Sequence, residues 1–410
     1  MKIAMVHTAL GGRGGAERQL LNLAIGLQKL GNEVEIFTTG VNENTCYPEL
    51  LKQVTINIMR RNRFVPFKYD NDLPVSSFDK VGKITNVRNK LQRILVHQFY
   101  TSGLPAMLSL GRIIPKGFDI INNHNPPTEW AAFTAKRRLK VPVVWMCNEP
   151  PSWFYLKGRG IRTKINWPLF GIWDKISVKY VDRIIVLSRV AESMVRNAYN
   201  RSSIVVRTGL DVEKFYNISG EKIRKKYGLE NDFILLQVAN LAPRRQADSI
   251  KALYYLSKNH SNIKLILDGA GPQGELKKLS EKLGVKDKVL FWHTECDKDL
   301  AKVYAACDVF VFPHQITWGL AVVEAMASAK TVIVSKGCGA AEIIQNNVNG
   351  MLVENSKPEE IAKKVENLIT NPSLRKKIGK NAYEYVKENL SWENYAQQME
   401  KIFEKAIRNN

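Results

Sequence analysis

The chain has 410 residues, 45% hydrophobic and 24% charged, a length that exceeds one ordinary core and suits two domains of about 200 residues each. That balance excludes an extensively disordered chain, and no apolar run reaches the ~18–20 residues that cross a bilayer. Lys and Arg number 61 against 39 Asp and Glu, a formal net charge of +22 concentrated in the first half, which implies an anionic partner surface.

The opening "MKIAMVHTAL" enters a strand directly, with no charged-then-apolar export signal. The five cysteines (Cys46, Cys147, Cys296, Cys307, Cys338) form no C-x-x-C pair, so reduced thiols in a cytoplasmic protein are expected. The first elements read as a βαβ unit. Strand "KIAMVH" leads through "GGRGG" to a helix with Leu20, Leu23, Leu27 and Leu30 on one face; Gly31 ends it, and strand "VEIFTT" follows. Strands "FDIINN", "VPVVWM" and "RIIVLS" come next. After "TGLD" (208–211) a second series begins with "FILLQV", "IKLILDG", "KVLFW", "DVFVFP" and "TVIVS", alternating with helical stretches. Continuous apolar strands alternating with helices predict an α/β protein of two Rossmann-like, doubly wound domains. The expected division is 1–205, 206–388 and a C-terminal amphipathic helix over 389–410. Such sheets bind ligands at the carboxyl ends of their strands, so facing domains would place a cleft between them.

Three segments carry chemistry. "GGRGGAER" (Gly11–Arg18) offers glycines and a helix N-terminus to an anion. It is neither a P-loop, because no Lys-Ser/Thr follows, nor G-x-G-x-x-G, because Glu17 stands at the third glycine. That excludes a nicotinamide oxidoreductase. "ANLAPRRQADSIKAL" (239–253) places Arg244 and Arg245 just beyond a strand, and guanidinium suits a diphosphate. "GLAVVEAMASAKTVIVSKGCGAAEII" (319–344) gives a helix bearing Glu324, a buried strand and a Gly-rich turn. A carboxylate there can accept two ribose hydroxyls, and the turn is expected to present backbone amides to phosphate or sugar.

In this combination and order the chain resembles the retaining glycosyltransferases of family 4, which have the GT-B fold of two facing Rossmann-like domains. The likeness extends to "RTGLDVEKF" at the junction, "NNVNGMLV" at 346–353 and the "SWE" that opens the last helix. In the family that helix crosses back to the N-terminal domain. The resemblance implies that Gly14 and Gly15 approach the donor diphosphate and that the loop's basic pair falls on Asn240 and Arg245. Glu324 would hold the ribose, with Gln315, Thr317, Gly319, Leu320 and Gly339 around the donor. Cys338-Gly339 replaces the family's Gly-Gly ahead of Glu342. The glutamate normally eight positions before Glu324 is Ile316 here. Asn148, beside Glu149, takes an acceptor-side place that the family often gives to His. Arg245, Glu324 and His124 form the expected catalytic set, His124 on the acceptor side.

Retaining transfer in this fold asks little acid–base chemistry of the protein, since the departing diphosphate can take the acceptor proton. No metal and no cofactor are expected: "DND" (Asp70–Asp72) lies in an irregular basic loop, and the six histidines show no ligand spacing. Residues 60–116 carry 11 basic and 3 acidic side chains. Arg88, Lys90 and Arg93 flank an amphipathic helix there, and Trp167, Phe170 and Trp173 interleave with lysines and arginines further on. This pattern fits a peripheral helix on the anionic cytoplasmic face of a membrane; no nucleic-acid module is present. The expected function is transfer of a hexose, mannose being one candidate, from a nucleotide diphosphate sugar to a lipid-linked or membrane-associated glycan. This leans on a looser likeness to the mannosyltransferases of lipid-linked oligosaccharides in "GGAERQLLNLAIGL". Ile316, Asn240 and Asn148 keep open an alternative, an inactive GT-B subunit that binds nucleotide sugar or lipid and supports a partner.

Overall fold

A computed structural model describes residues 1–59, 104–150, 171–241, 243–294 and 297–410, with backbone alone for 243–245 and 297–298. Arg88, Lys90, Arg93, Trp167, Phe170 and Asp70–Asp72 lie outside the described residues, as does the side chain of Arg245. Two compact units divide the chain. The first comprises Met1–Leu187, Ala191–Arg207 and Tyr395–Asn410; the second, Ser188–Val190 and Thr208–Asn394.

The first unit has strands β1 (Lys2–His7), β2 (Glu33–Thr38), β3 (Thr55–Ile58), β4 (Ile120–His124), β5 (Val143–Met146), β6 (Arg183–Val186) and β7 (Ile204–Val205) in the order β3-β2-β1-β4-β5-β6-β7. Every adjacent pair is parallel. β4 and β5 are buried along their whole length, as strands covered on both faces must be. Helices α1 (Gly15–Lys29), α2 (Leu104–Ile113), α3 (Glu129–Leu139) and α4 (Arg189–Tyr199) accompany them. Gly31, at φ +88°, ends α1 in the left-handed region that glycine enters without Cβ strain, and the Asn32 amide folds back to the Leu27 carbonyl.

Beside the core of this unit lies a buried acid pair. Asp174 accepts hydrogen bonds from the Tyr199 hydroxyl (2.6 Å) and the Trp130 indole (3.4 Å). Glu129, fully buried at the start of α3, neighbours it. Burial first, and the charge of Asp174 second, hold Glu129 well above the usual carboxylate range, so Glu129 keeps its proton near neutral pH. Trp173, expected to face a membrane, instead packs edge-on against Phe133 at 5.1 Å and joins the buried cluster. The helix over 171–178 directs that ring inward, where its apolar area leaves water.

The second unit has strands β8 (Phe233–Val238), β9 (Ile263–Asp268), β10 (Val289–Trp292), β11 (Val309–Phe312), β12 (Thr331–Ser335) and β13 (Met351–Val353), ordered β10-β9-β8-β11-β12-β13 and parallel throughout. The chain order reverses between β8 and β11, the switch point where open parallel sheets bind ligands. α5 (Pro243–Ser257), α6 (Asp297–Ala306), α7 (Leu320–Ala327), α8 (Pro358–Thr370) and α9 (Pro372–Asn389) pack on it. The last helix, α10 (Trp392–Arg408), buries Tyr395, Ala396, Met399, Phe403 and Ala406 along one stripe. From Tyr395 onward it is part of the first unit. Gln19 donates to the Tyr395 hydroxyl (2.9 Å), and Asn32 donates to Glu400 (2.6 Å).

Candidate active site

In the second unit, polar groups gather at the carboxyl ends of β8 and β11. Gln237, near the end of β8, meets His314, two residues beyond β11, at 2.6 Å, both buried. The loop after β8 runs through exposed Asn240, whose carbonyl accepts from Gln246 (3.3 Å), into α5, where Arg245 sits in the first turn. After β11 the chain loops through Gln315, Ile316 and Thr317 to Gly319. Gly319, at φ +116°, starts α7. The first-turn amides of a helix have no intrahelical acceptors, and Leu320 and Ala321 supply them here.

Glu324 is the fifth residue of α7, one turn further in than a place at the helix start. It is 5% exposed, and its Oε2 accepts the Tyr304 hydroxyl at 2.8 Å. Tyr304, on α6, is completely buried, with Phe215 and Phe310 against its ring at 5.9 and 5.7 Å. Sequence spacing gave no sign of this partner, because the two lie 20 positions apart on different helices.

The Gly-rich turn over 337–341 behaves differently from expectation. The Gly339 amide donates to the Ile316 carbonyl (2.9 Å) and the Ala340 amide to the Trp318 carbonyl (2.8 Å). The Cys338 amide donates to Ser335, at the end of β12, the Ala341 amide to Cys338, and that of Gly337 reaches Asn355 (3.0 Å). These amides serve the fold rather than a ligand. The glycine is needed for closeness: a Cβ on Gly339 would lie 2.0 Å from the Thr317 carbonyl oxygen. Ile316, half-buried, keeps its main chain fixed by that pairing although its side chain offers no acceptor.

In the first unit the strand ends carry a chain of hydrogen bonds. His7, ending β1, meets Asn125 at 3.3 Å through Nε2. Asn148, beyond β5, donates to Asn125 (2.6 Å) and Gln19 (2.8 Å), and Gln19 donates to Tyr395. Asn148 thus joins a polar edge built from four elements. Glu149 beside it is half-buried. His124, expected in the catalytic set, has no exposed surface. It shares a face of β4 with Asn122, which it meets at 2.6 Å, and an interior strand carries it away from solvent. Burial, then the neighbouring His7, holds His124 well below the usual imidazole range. Burial likewise lowers His7 to about 4, so both rings stay neutral near pH 7. A side chain that substrate cannot touch does not catalyse, and Asn125, one residue on at φ 62°, holds the edge instead. The asparagine after His124 in "NNHNPP" was the available signal, since Asn tolerates that backbone. Near Gly14, the Glu17 carboxylate folds back over the α1 N-terminus. A Cβ on Gly14 would meet it at 2.2 Å, and burial raises its pKa. Gly15, exposed, is the first residue of that helix.

Among the described residues no three His, Cys, Asp or Glu side chains gather as a metal-ligating group, and no helix is long and apolar enough to cross a membrane.

The family model described as Glycosyltransferase Family 4 matches residues 13–214, and that described as Glycosyl transferases group 1 matches residues 219–385. An uncharacterised glycosyltransferase of Methanocaldococcus jannaschii is 26% identical over 422 residues, covering 99% of each chain. The crystal structure of Anabaena HepE in complex with UDP and glucose superposes with a TM-score of 0.73 at 18% identity, over 98% of this chain and 99% of that one. WaaG, a glycosyltransferase involved in lipopolysaccharide biosynthesis, superposes with a TM-score of 0.68 at 18% identity, over 98% and 99%. Both structural likenesses speak to the fold. With each unit matched by a glycosyltransferase model, and a relative of that class aligned end to end, the chain is a glycosyltransferase of the GT-B fold, family 4 in its N-terminal half and group 1 in its C-terminal half.

Proposed function

We propose that this enzyme moves a hexose, mannose being one candidate, from a nucleotide diphosphate sugar to a lipid-linked or membrane-associated glycan, retaining anomeric configuration and using no metal. The observation that carries the reading is Glu324, a buried carboxylate fixed at the switch-point end of the second sheet, where a ribose diol would be received. HepE, of the same fold, is known in complex with UDP and glucose, and WaaG acts in lipopolysaccharide biosynthesis. These support a nucleotide donor and a lipid-borne acceptor.

The chemistry asked of these residues is positional. Arg245 and the first-turn amides of α7 would meet the charge that grows on the departing diphosphate, and that diphosphate would take the acceptor proton. Glu324 orients the nucleotide by its ribose. Asn148 and Asn125 would line the acceptor side with neutral donors and acceptors. The basic side chains Arg88, Lys90 and Arg93 would hold the protein peripherally on an anionic cytoplasmic membrane surface.

Ile316 favours a second reading, an inactive subunit that binds nucleotide sugar or lipid. Turnover separates the two. Sustained nucleoside diphosphate release that requires acceptor, abolished in Arg245→Ala and Glu324→Ala, establishes the enzyme. Nucleotide binding without release under every acceptor supplied would sink it in favour of the subunit.

A further inference from the structure

We propose that Tyr304 is the positioning residue for Glu324: its hydroxyl sets the plane of the carboxylate that receives the donor ribose. The inference rests on the reading of Glu324 as the ribose acceptor given above. A glutamate carboxylate turns freely about its last bond, and a vicinal diol is bound well only when both acceptor lobes point the same way. The phenol at 2.8 Å fixes Oε2. The phenol in turn cannot swing, because its ring is fully buried between Phe215 and Phe310 and its helix is anchored to the sheet.

A carboxylate has two oxygens, and the phenol reaches one of them, Oε2. Orientation is therefore paid in advance by the fold, and donor binding does not have to order the carboxylate. Tyr304 is placed to act through Glu324.

The experiment measures binding of UDP, GDP and ADP, each beside its 2′,3′-dideoxy counterpart, to wild type, Tyr304→Phe, Glu324→Gln and the double variant. Phe keeps the buried ring, and thermal denaturation checks that the fold is retained. Wild type is expected to bind the best ribonucleotide about tenfold or more tightly than its dideoxy form. Tyr304→Phe is expected to weaken the ribonucleotide about tenfold while leaving the dideoxy form unchanged, and to add nothing further in the Glu324→Gln background. Equal weakening of both nucleotides in Tyr304→Phe overturns the proposal, as does undiminished ribose preference. Absence of ribose preference in wild type overturns the reading of Glu324 itself, an outcome distinct from the other two.

Discussion

Gly339 stands so close to Thr317 that its Cα hydrogen occupies the space where any side chain would meet the Thr317 carbonyl, 2.0 Å from a Cβ. Two backbone bonds, from Gly339 to Ile316 and from Ala340 to Trp318, lock this approach. The loop that precedes α7 therefore takes its shape from the turn after β12.

Gly339→Ala should accordingly cost about 1–3 kcal/mol, because the clash is with backbone, and should also weaken nucleotide-dependent stabilisation. Gly337→Ala is the control. Its Cβ would meet the side chains of Gln315 and Asn355 at 2.7 and 2.8 Å, which can move aside. Thermal denaturation of both variants, with and without UDP or GDP, should rank Gly339→Ala well below Gly337→Ala; equal melting points would contradict the argument.

Glu324→Ala should leave the sheet intact yet remove most of the thermal shift given by nucleoside diphosphate. A ligand at a hundredfold excess over Kd stabilises by about 2.7 kcal/mol. The measurement is the shift itself, and a variant that shifts as far as wild type would move the donor site elsewhere.

The buried acid pair sets a pH dependence. Glu129 has a raised pKa in the folded chain, so the folded state binds the extra proton. Its stability contribution is complete below the unfolded value of about 4.5 and is lost as pH rises through the folded pKa. Glu129→Gln keeps a neutral side chain of the same size and cannot ionise, so it escapes that loss. It should raise Tm at pH 8 by about 2–4 °C, and by less at pH 5. A larger gain at pH 5 than at pH 8 would contradict a raised pKa at Glu129.

His7 has the opposite sign. Its folded pKa of about 4 lies below the ordinary 6.5, so the unfolded chain binds the proton between those values and stability falls as pH drops through the window. The full shift corresponds to something on the order of 3 kcal/mol. Urea denaturation of His7→Gln should show a shallower decline from pH 7 to pH 4.5 than wild type does, whatever its stability at pH 7.

Neutralising Arg88, Lys90 and Arg93 together should weaken co-sedimentation with phosphatidylserine vesicles by about tenfold or more, at roughly 1 kcal/mol per basic side chain. Binding that is unchanged, or that persists at 0.5 M salt (about a 4 Å screening length), would place the membrane contact elsewhere.

The two sheets were legible in the sequence because buried parallel strands read as unbroken apolar runs, "KIAMVH" and "VFVF" among them. The helix that carries Glu324 was legible in "GLAVVEAMA". What sequence could not supply was direction. Trp173 belongs to a basic, aromatic stretch, yet its ring points into the core. His124 sits at a strand end, yet the strand alternation turns it inward, while Asn125 takes the rim. The amides of "GCGAAE" read as an anion cradle until their acceptors at Ile316 and Trp318 are seen. Tyr304 and Tyr395 were invisible for a related reason: each matters through a partner, Glu324 or Gln19, that only tertiary packing brings near.

The last helix has a consequence for the order of synthesis. Gln19 and Asn32 leave the ribosome long before their partners Tyr395 and Glu400. The first unit is thus completed only after the whole of residues 208–394 has been translated. A nascent chain paused anywhere before Tyr395 holds Gln19 and Asn32 without the partners that the finished first unit gives them.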